Sequence, residues 1–137
     1  MNGEIVSRLE RLDEYVRILR TYQEKSLEDL QSDYTLRGAV ERYLGLAIES
    51  CLDIGEMVIS RGGLRKPETY REIIEILGEA NVLSKDFVER FAPAAGFRNL
   101  LVHRYADIDT AQLHSFLQDK LGDFEEFSKT IADYLSR

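Results

Sequence analysis

Between positions 98 and 105 the chain reads Arg-Asn-Leu-Leu-Val-His-Arg-Tyr, which puts a permanent cation, a titratable imidazole and a phenol within about two helical turns. With about 100° of rotation per residue, Arg98 and Asn99 lie about 100° apart, His103 falls about 40° further round, and Tyr105 nearly returns over Arg98. Phe97, Leu100 and Leu101 take the opposite arc, and only Val102 interrupts the polar side. One helix can therefore anchor itself in a core and present reactive groups outward.

Those groups suit the cleavage of RNA by its own 2′-hydroxyl. An imidazole that titrates near pH 6.5 can take or give a proton, so His103 fits the acid–base role. The Arg98 guanidinium offers a planar fork of donors to phosphate oxygens and would stabilise the charge that develops there. Asn99, one turn before His103, can orient the imidazole or hydrogen-bond the substrate. A single histidine does not obviously serve as both base and acid in one turnover, so the pattern calls for a second copy, which a symmetric dimer supplies. Taken alone the Arg-x-x-x-x-His spacing is weak, since it constrains two residue types, and both fit equally well as surface residues of a helix end.

The elements that must position this segment are helical. Ile5, Leu9, Leu12, Val16 and Leu19 recur at three- and four-residue spacings, predicting a helix over about residues 3–24. Ser26 can cap a short turn through LEDLQ, and Asp33 or Thr35 a long helix to about Ser60, closed by Gly62-Gly63. The apolar stripe of that second helix, from Leu36 through Leu44, Cys51 and Val58, is wide enough for a central place in a bundle. Pro67 and Thr69 open a third helix and Ser84 a fourth, while Pro93 predicts a kink or a fresh start at the motif segment. Asp109 can cap a last helix running almost to the C-terminus, with His114 early in it as a surface residue without an obvious partner. No stretch alternates with the two-residue period of a strand. The expected fold is all-α, one domain over residues 1–137, an up-and-down bundle of four to five antiparallel helices.

Composition narrows the function classes. With 137 residues and 44% hydrophobic content the chain can bury a core without disulfides. The single cysteine, Cys51, has apolar neighbours and reads as a reduced, buried thiol. No basic-then-apolar leader opens the chain and no apolar run approaches the ~20 residues of a membrane span, so a cytoplasmic protein without a membrane role is expected. A net charge of −7 argues against a broad nucleic-acid-binding surface and against DNA as a partner. A local basic cleft remains open to Arg98 and Arg104 with Arg61, Arg65 and Lys66 of the connection SRGGLRKPE, which reads equally as a solvated loop.

Beyond the octapeptide, the segment GFRNLLVHRY resembles the signature of HEPN domains, specifically the HepT-like toxins: Arg, four residues, His, any residue, Tyr. RGAVERYLGLAIESCLDIGEMVIS is similar to that family's long second helix, and TYREIIEILGEANVLSKDFVERFAPAAGFRN to the stretch leading into its motif; the acidic turn ADID also fits. The resemblance implies a HEPN-like homodimer acting as a metal-independent endoribonuclease, the toxin of a type VII-like toxin–antitoxin system, with RNA as substrate and no cofactor. Arg98 and His103 match the catalytic pair and Asn99 a polar neighbour. Tyr105 matches the tyrosine that a minimal nucleotidyltransferase antitoxin modifies by O-adenylylation, and phosphates added there would compete with RNA and pair with Arg98. Arg104 holds the variable position and reads as a peripheral RNA or partner contact. In the acidic stripe Glu49, Asp53 and Glu56, which otherwise reads as a solvated face, Asp53 is the residue the resemblance suggests as a support for the motif.

Two other readings compete. A noncatalytic helical subunit that binds a nucleotide or partners a nucleotidyltransferase suits the acidic charge. A carboxylate-bridged metal bundle fits poorly, because neither His103 nor His114 follows a Glu by three residues, so no metal site is expected.

Overall fold

The helix-starting signals in the sequence are local ones, and the computed structural model, which describes residues 2–103 and 108–137 (His103 by its backbone alone), shows most of them in use. α1 (Gly3–Arg20) buries Ile5, Leu9, Leu12, Val16 and Leu19 as its spacing predicts, but ends at Arg20, with residues 21–24 in a turn. Ser26 opens α2 (Leu27–Ser32) with a reciprocal cap: its Oγ accepts from the Asp29 amide at 3.1 Å, and its own amide donates to the Asp29 carboxylate at 2.9 Å. Asp33 then leaves the helical region and accepts from the Leu36 amide at 3.0 Å, so one residue ends α2 and starts α3 (Tyr34–Arg61).

α3 is the axis of the structure. It touches α1, α2, α4 (Tyr70–Glu79), α6 (Pro93–His103), α7 (Thr110–Asp119) and α8 (Leu121–Leu135), which is why its apolar stripe is wider than one neighbour requires. Cys51 lies in that stripe, fully buried, and burial pushes its thiol well above the ordinary range. α4 starts at Tyr70, capped by Thr69, so Pro67 belongs to the connection before it and not to its first turn. α5 (Lys85–Phe91) starts at the Ser84 cap, and α6 begins afresh at Pro93, where a missing amide donor is harmless.

The last predicted helix is two. Lys120 (φ −112°, ψ −3°) separates α7 from α8, and the two arms dock on different partners, α7 on α2 and α8 on α1. His114 is half-buried and has a partner after all: its Nε2 lies 3.2 Å from the Lys25 carbonyl. Beside it the amides of Gln23 and Gln118 donate to the Leu117 and Gln23 carbonyls at 3.0 and 2.7 Å, stapling the turn after α1 onto α7. Among the described residues there are eight helices, no strand, and no helix long and apolar enough to cross a membrane. The all-α bundle is as expected; the short α2 and α5 and the break at Lys120 account for the higher helix count.

One contact positions the motif helix and a second the helix α4 that packs beside it. All six phenylalanines form one chain of rings through α5, α6, α7 and α8, in which Phe97 stacks on Phe116 at 4.7 Å and Phe116 continues to Phe124 at 6.1 Å. On the other side α4 approaches α3 closely, since a Cβ on Gly55 would sit 2.5 Å from Ile73 Cγ2. By contrast, a Cβ on Gly45 would meet Leu101 at an ordinary 4.0 Å. Gly55→Ala is therefore expected to lower stability by about 1–3 kcal/mol through overpacking, and Gly45→Ala to be neutral or stabilising by up to ~1 kcal/mol through helix propensity, as read from urea unfolding of both variants.

Candidate active site

α6 divides its residues as the angular layout predicts. Phe97 and Leu101 are buried and Leu100 half-buried, while Asn99 and Val102 are exposed. His103 is the last described residue of α6, about 7.5 Å along the axis from Arg98. The expectations for the His103 side chain, Arg104 and Tyr105 fall outside the described residues.

Arg98 is held on three sides by residues from three helices. Its Nη2 donates to Glu49 Oε1 of α3 at 3.0 Å, its Nη1 donates to Asn99 Oδ1 at 3.3 Å, and its guanidinium lies 4.6 Å from the centre of the Tyr70 ring at the start of α4. The side chain is only 13% exposed and that of Glu49 34%, so this pair is better shielded than an ordinary surface ion pair. A guanidinium fits because it stacks its plane on the ring while its edge donates to the carboxylate. The result is a cation fixed in direction, with the open side of its helix continuing to His103.

The support for Arg98 comes from Glu49 and not from Asp53. Asp53 lies one turn further along α3, pairs with Arg8 of α1 at 3.3 Å, and feels Arg98 only through space. Partial burial raises its carboxyl above the ordinary value, with the nearby Glu49 charge acting in the same direction and Arg8 and Arg98 against it. Glu49 was visible in sequence as a member of the acidic stripe but indistinguishable there from a solvated residue. Tyr70 carried no signal at all, being 28 positions from Arg98 and brought to it only by the packing of α4.

The Asn99 carbonyl oxygen accepts from Arg98, which leaves its NH2 group as a donor on the exposed side of α6. Asn99 also lines a cleft of about 880 Å³ between the end of α3, the 62–69 connection and the start of α4, together with Glu56, Ile59, Lys66 and Tyr70. The basic residues of that connection go separate ways. Arg65 is taken up by Glu72 and Glu79, both within α4, at 3.3 and 3.0 Å, and Arg61 donates to Asn2 at 3.4 Å. Only Lys66 of the three faces the cleft.

With this geometry in view, a family model described as Ribonuclease HepT-like matches residues 12–131. The chain belongs to the HepT-like ribonuclease family. It is 30% identical to the tRNA nuclease HepT of Aphanizomenon flos-aquae over 131 residues, 96% of this chain and 89% of the relative. It is 26% identical to the mRNA nuclease HepT of Shewanella oneidensis, over 96% of this chain and 98% of that protein. The solved structure of the tri-AMPylated Shewanella oneidensis HEPN toxin in complex with MNT antitoxin superimposes with a TM-score of 0.89, covering 97% of this chain and 99% of that one at 22% identity, and so has the same fold. The RNA-cleaving enzyme class expected from the motif is the class of the family. In this HepT-like chain Glu49, Tyr70 and Asn99 are the described groups that touch Arg98.

Glu49→Gln keeps the shape and removes the charge opposite a nearly buried guanidinium, so it should lower stability by about 1–3 kcal/mol in denaturant unfolding, whereas Asp53→Asn should leave it unchanged or slightly raised, by less than ~1 kcal/mol, at neutral pH. For Asp53 the sign with pH is set by its raised native value: the folded state holds the proton more tightly than the unfolded one, so the ionised group opposes folding above its native pKa and that penalty fades on acidification. Unfolding curves of Asp53→Asn and the unmodified chain should therefore shift in the variant's disfavour as the pH falls from 7 through the carboxylate range.

Proposed function

We propose that this chain is a metal-independent endoribonuclease, the toxin of a type VII-like toxin–antitoxin pair, which acts in the cytoplasm as a homodimer of a single HEPN domain over residues 1–137. The observation that carries the reading is the Arg98 guanidinium, clamped by Glu49, Asn99 and Tyr70 on the helix that also carries His103. Relatives named for tRNA and mRNA cleavage support RNA as the substrate.

In this reading a 2′-hydroxyl is deprotonated and its oxygen attacks the adjacent phosphorus. The bond to the 5′-oxygen breaks, that oxygen is protonated, and a 2′,3′-cyclic phosphate remains. Arg98 lies against the phosphate and stabilises the charge that builds on its oxygens. His103 of one protomer takes the proton and His103 of the second protomer gives one to the leaving oxygen, which explains why one histidine per chain suffices. Arg104 is a peripheral contact to RNA or partner. The neutralising partner is a minimal nucleotidyltransferase that adenylylates Tyr105, consistent with the neighbour described as AMPylated and bound to an MNT antitoxin. Adenylyl phosphates beside Arg98 would occupy the place of the RNA backbone.

The second reading, a noncatalytic nucleotide-binding subunit, draws on the net charge of −7, which suits an extended RNA-binding surface poorly. Cleavage of RNA by purified protein in EDTA decides between them. The unmodified chain should cleave, His103→Ala should lose about 10²–10⁴-fold and Arg98→Ala about 10²–10³-fold in rate. Cleavage undiminished in His103→Ala would overturn the catalytic assignment, and nucleotide binding with no cleavage at any concentration would favour the second reading. Coexpression with the antitoxin should add adenylyl mass to the intact chain, and Tyr105→Phe should abolish the addition.

A further inference from the structure

The cleft beside Arg98 is part of the same surface as the clamped guanidinium, yet the cleavage chemistry above leaves it unused. Two of its lining residues touch Arg98 directly: Asn99 accepts from Nη1 at 3.3 Å, and the Tyr70 ring lies 4.6 Å from the guanidinium carbon. Its volume of about 880 Å³ falls in the ~300–1,000 Å³ range of small-ligand sites. The lining has three kinds of surface. Ile59 and Leu64 are apolar, Tyr70 offers a half-exposed aromatic ring, and Glu56, Asn99 and Lys66 are polar.

That combination matches an unpaired nucleobase and its backbone. A flat base needs an aromatic or apolar surface for its face and hydrogen-bonding groups at its edge, and single-stranded RNA is read in this way. Lys66 makes no ion pair among the described residues and can meet the phosphate of a neighbouring nucleotide, whereas Arg65 beside it is neutralised by α4. Among the described residues the Glu56 carboxylate accepts from no donor. It therefore favours a base edge that carries an exocyclic amine, as in cytosine, adenine or guanine, over uracil, whose one ring N–H donor is flanked by two carbonyl oxygens that a carboxylate repels.

We infer that this cleft seats the base next to the scissile phosphate, stacked at Tyr70, with Glu56 selecting amino-bearing bases over uracil. The inference rests on the reading of Arg98 as the residue that faces that phosphate. Tyr70 then has two duties, positioning the guanidinium and holding the base, and Glu56 is a specificity residue.

Binding of fluorescent 2′-O-methyl hexanucleotides tests this without cleavage, because their 2′-oxygens carry no proton to remove. By anisotropy, the oligo-C and oligo-A strands should bind at least ~5-fold tighter than oligo-U, and Glu56→Gln, which can donate as well as accept, should level that difference. Tyr70→Ala should weaken oligo-C by about 10-fold, and Tyr70→Phe should bind as the unmodified chain does. Where Tyr70→Ala does not fold by circular dichroism, Tyr70→Leu and the Glu56 variant carry the test. Equal affinity for all three strands, or binding unmoved by both substitutions, overturns the inference, including the case in which the cleft serves a protein partner. RNA cleavage in EDTA by the unmodified chain is read in parallel. Cleavage with base-indifferent binding removes the inference and keeps the ribonuclease reading; base-dependent binding through Tyr70 without cleavage keeps the cleft as a base-binding site but removes the ribonuclease reading and, with it, the placement beside a scissile phosphate.

Discussion

The constraint on which the rest of this structure depends is the near-burial of a charge that cannot be discharged. A guanidinium stays protonated throughout the physiological range, so taking Arg98 largely out of water is tolerable only with a carboxylate and further acceptors within reach. The two terminal nitrogens and the face of the guanidinium are met by different parts of the chain, Glu49 from the middle of α3, Asn99 from α6 itself, and the Tyr70 ring from the tip of α4, while Nε is buried with no partner among the described residues. The three helices must be in register for the charge to be stable where it is. Packing and chemistry are thus coupled at one residue, and the apolar contacts of α3 with α4 and α6 are part of how the cation is aimed.

The aim is rigid because the supporting shell is rigid. Phe97, the residue before Arg98, is fixed by stacking on Phe116, and that ring belongs to a chain of aromatic contacts running into α8. On the opposite side the missing side chain of Gly55 lets Ile73 settle against α3, which sets the height at which α4 presents Tyr70. Such a site loses little side-chain freedom when a substrate arrives, since most of it was lost on folding.

What was legible in the sequence follows a physical division. Caps are local, and Ser26, Asp33, Thr69, Ser84, Asp109 and Pro93 each act where their chemistry predicts. Apolar periodicity is nearly as local, and it identified α3 as the central helix and α6 as a helix with one buried side. The motif arginine and its neighbour could be read for the same reason, as residues of one helix. What could not be read depends on tertiary distance. Glu49 and Asp53 are one turn apart on α3 and alike in chemistry, and only the crossing of α6 decides that Glu49 meets Arg98 while Asp53 turns to Arg8. Tyr70 opens an unrelated helix. His114 found a carbonyl in the turn after α1, and Lys120 broke a continuous apolar pattern because the two halves pack on different helices.

The pairing of α1 with α8 bears on when the molecule becomes complete. Ser128 donates to Asp13 at 3.1 Å across 115 positions of sequence, and Arg20 pairs with Glu125 across 105. Part of the buried face of α1 packs on α3 and part on α8, far along the chain, and closures bridged by such long stretches are slow relative to local helix formation. The motif helix lies between α1 and α8 in order of synthesis. Its clamp partners Glu49 and Tyr70 are made before it, whereas the rings of α7 and α8 that hold Phe97 follow, so a nascent chain of this kind carries the paired arginine for a time without the aromatic packing that fixes its helix.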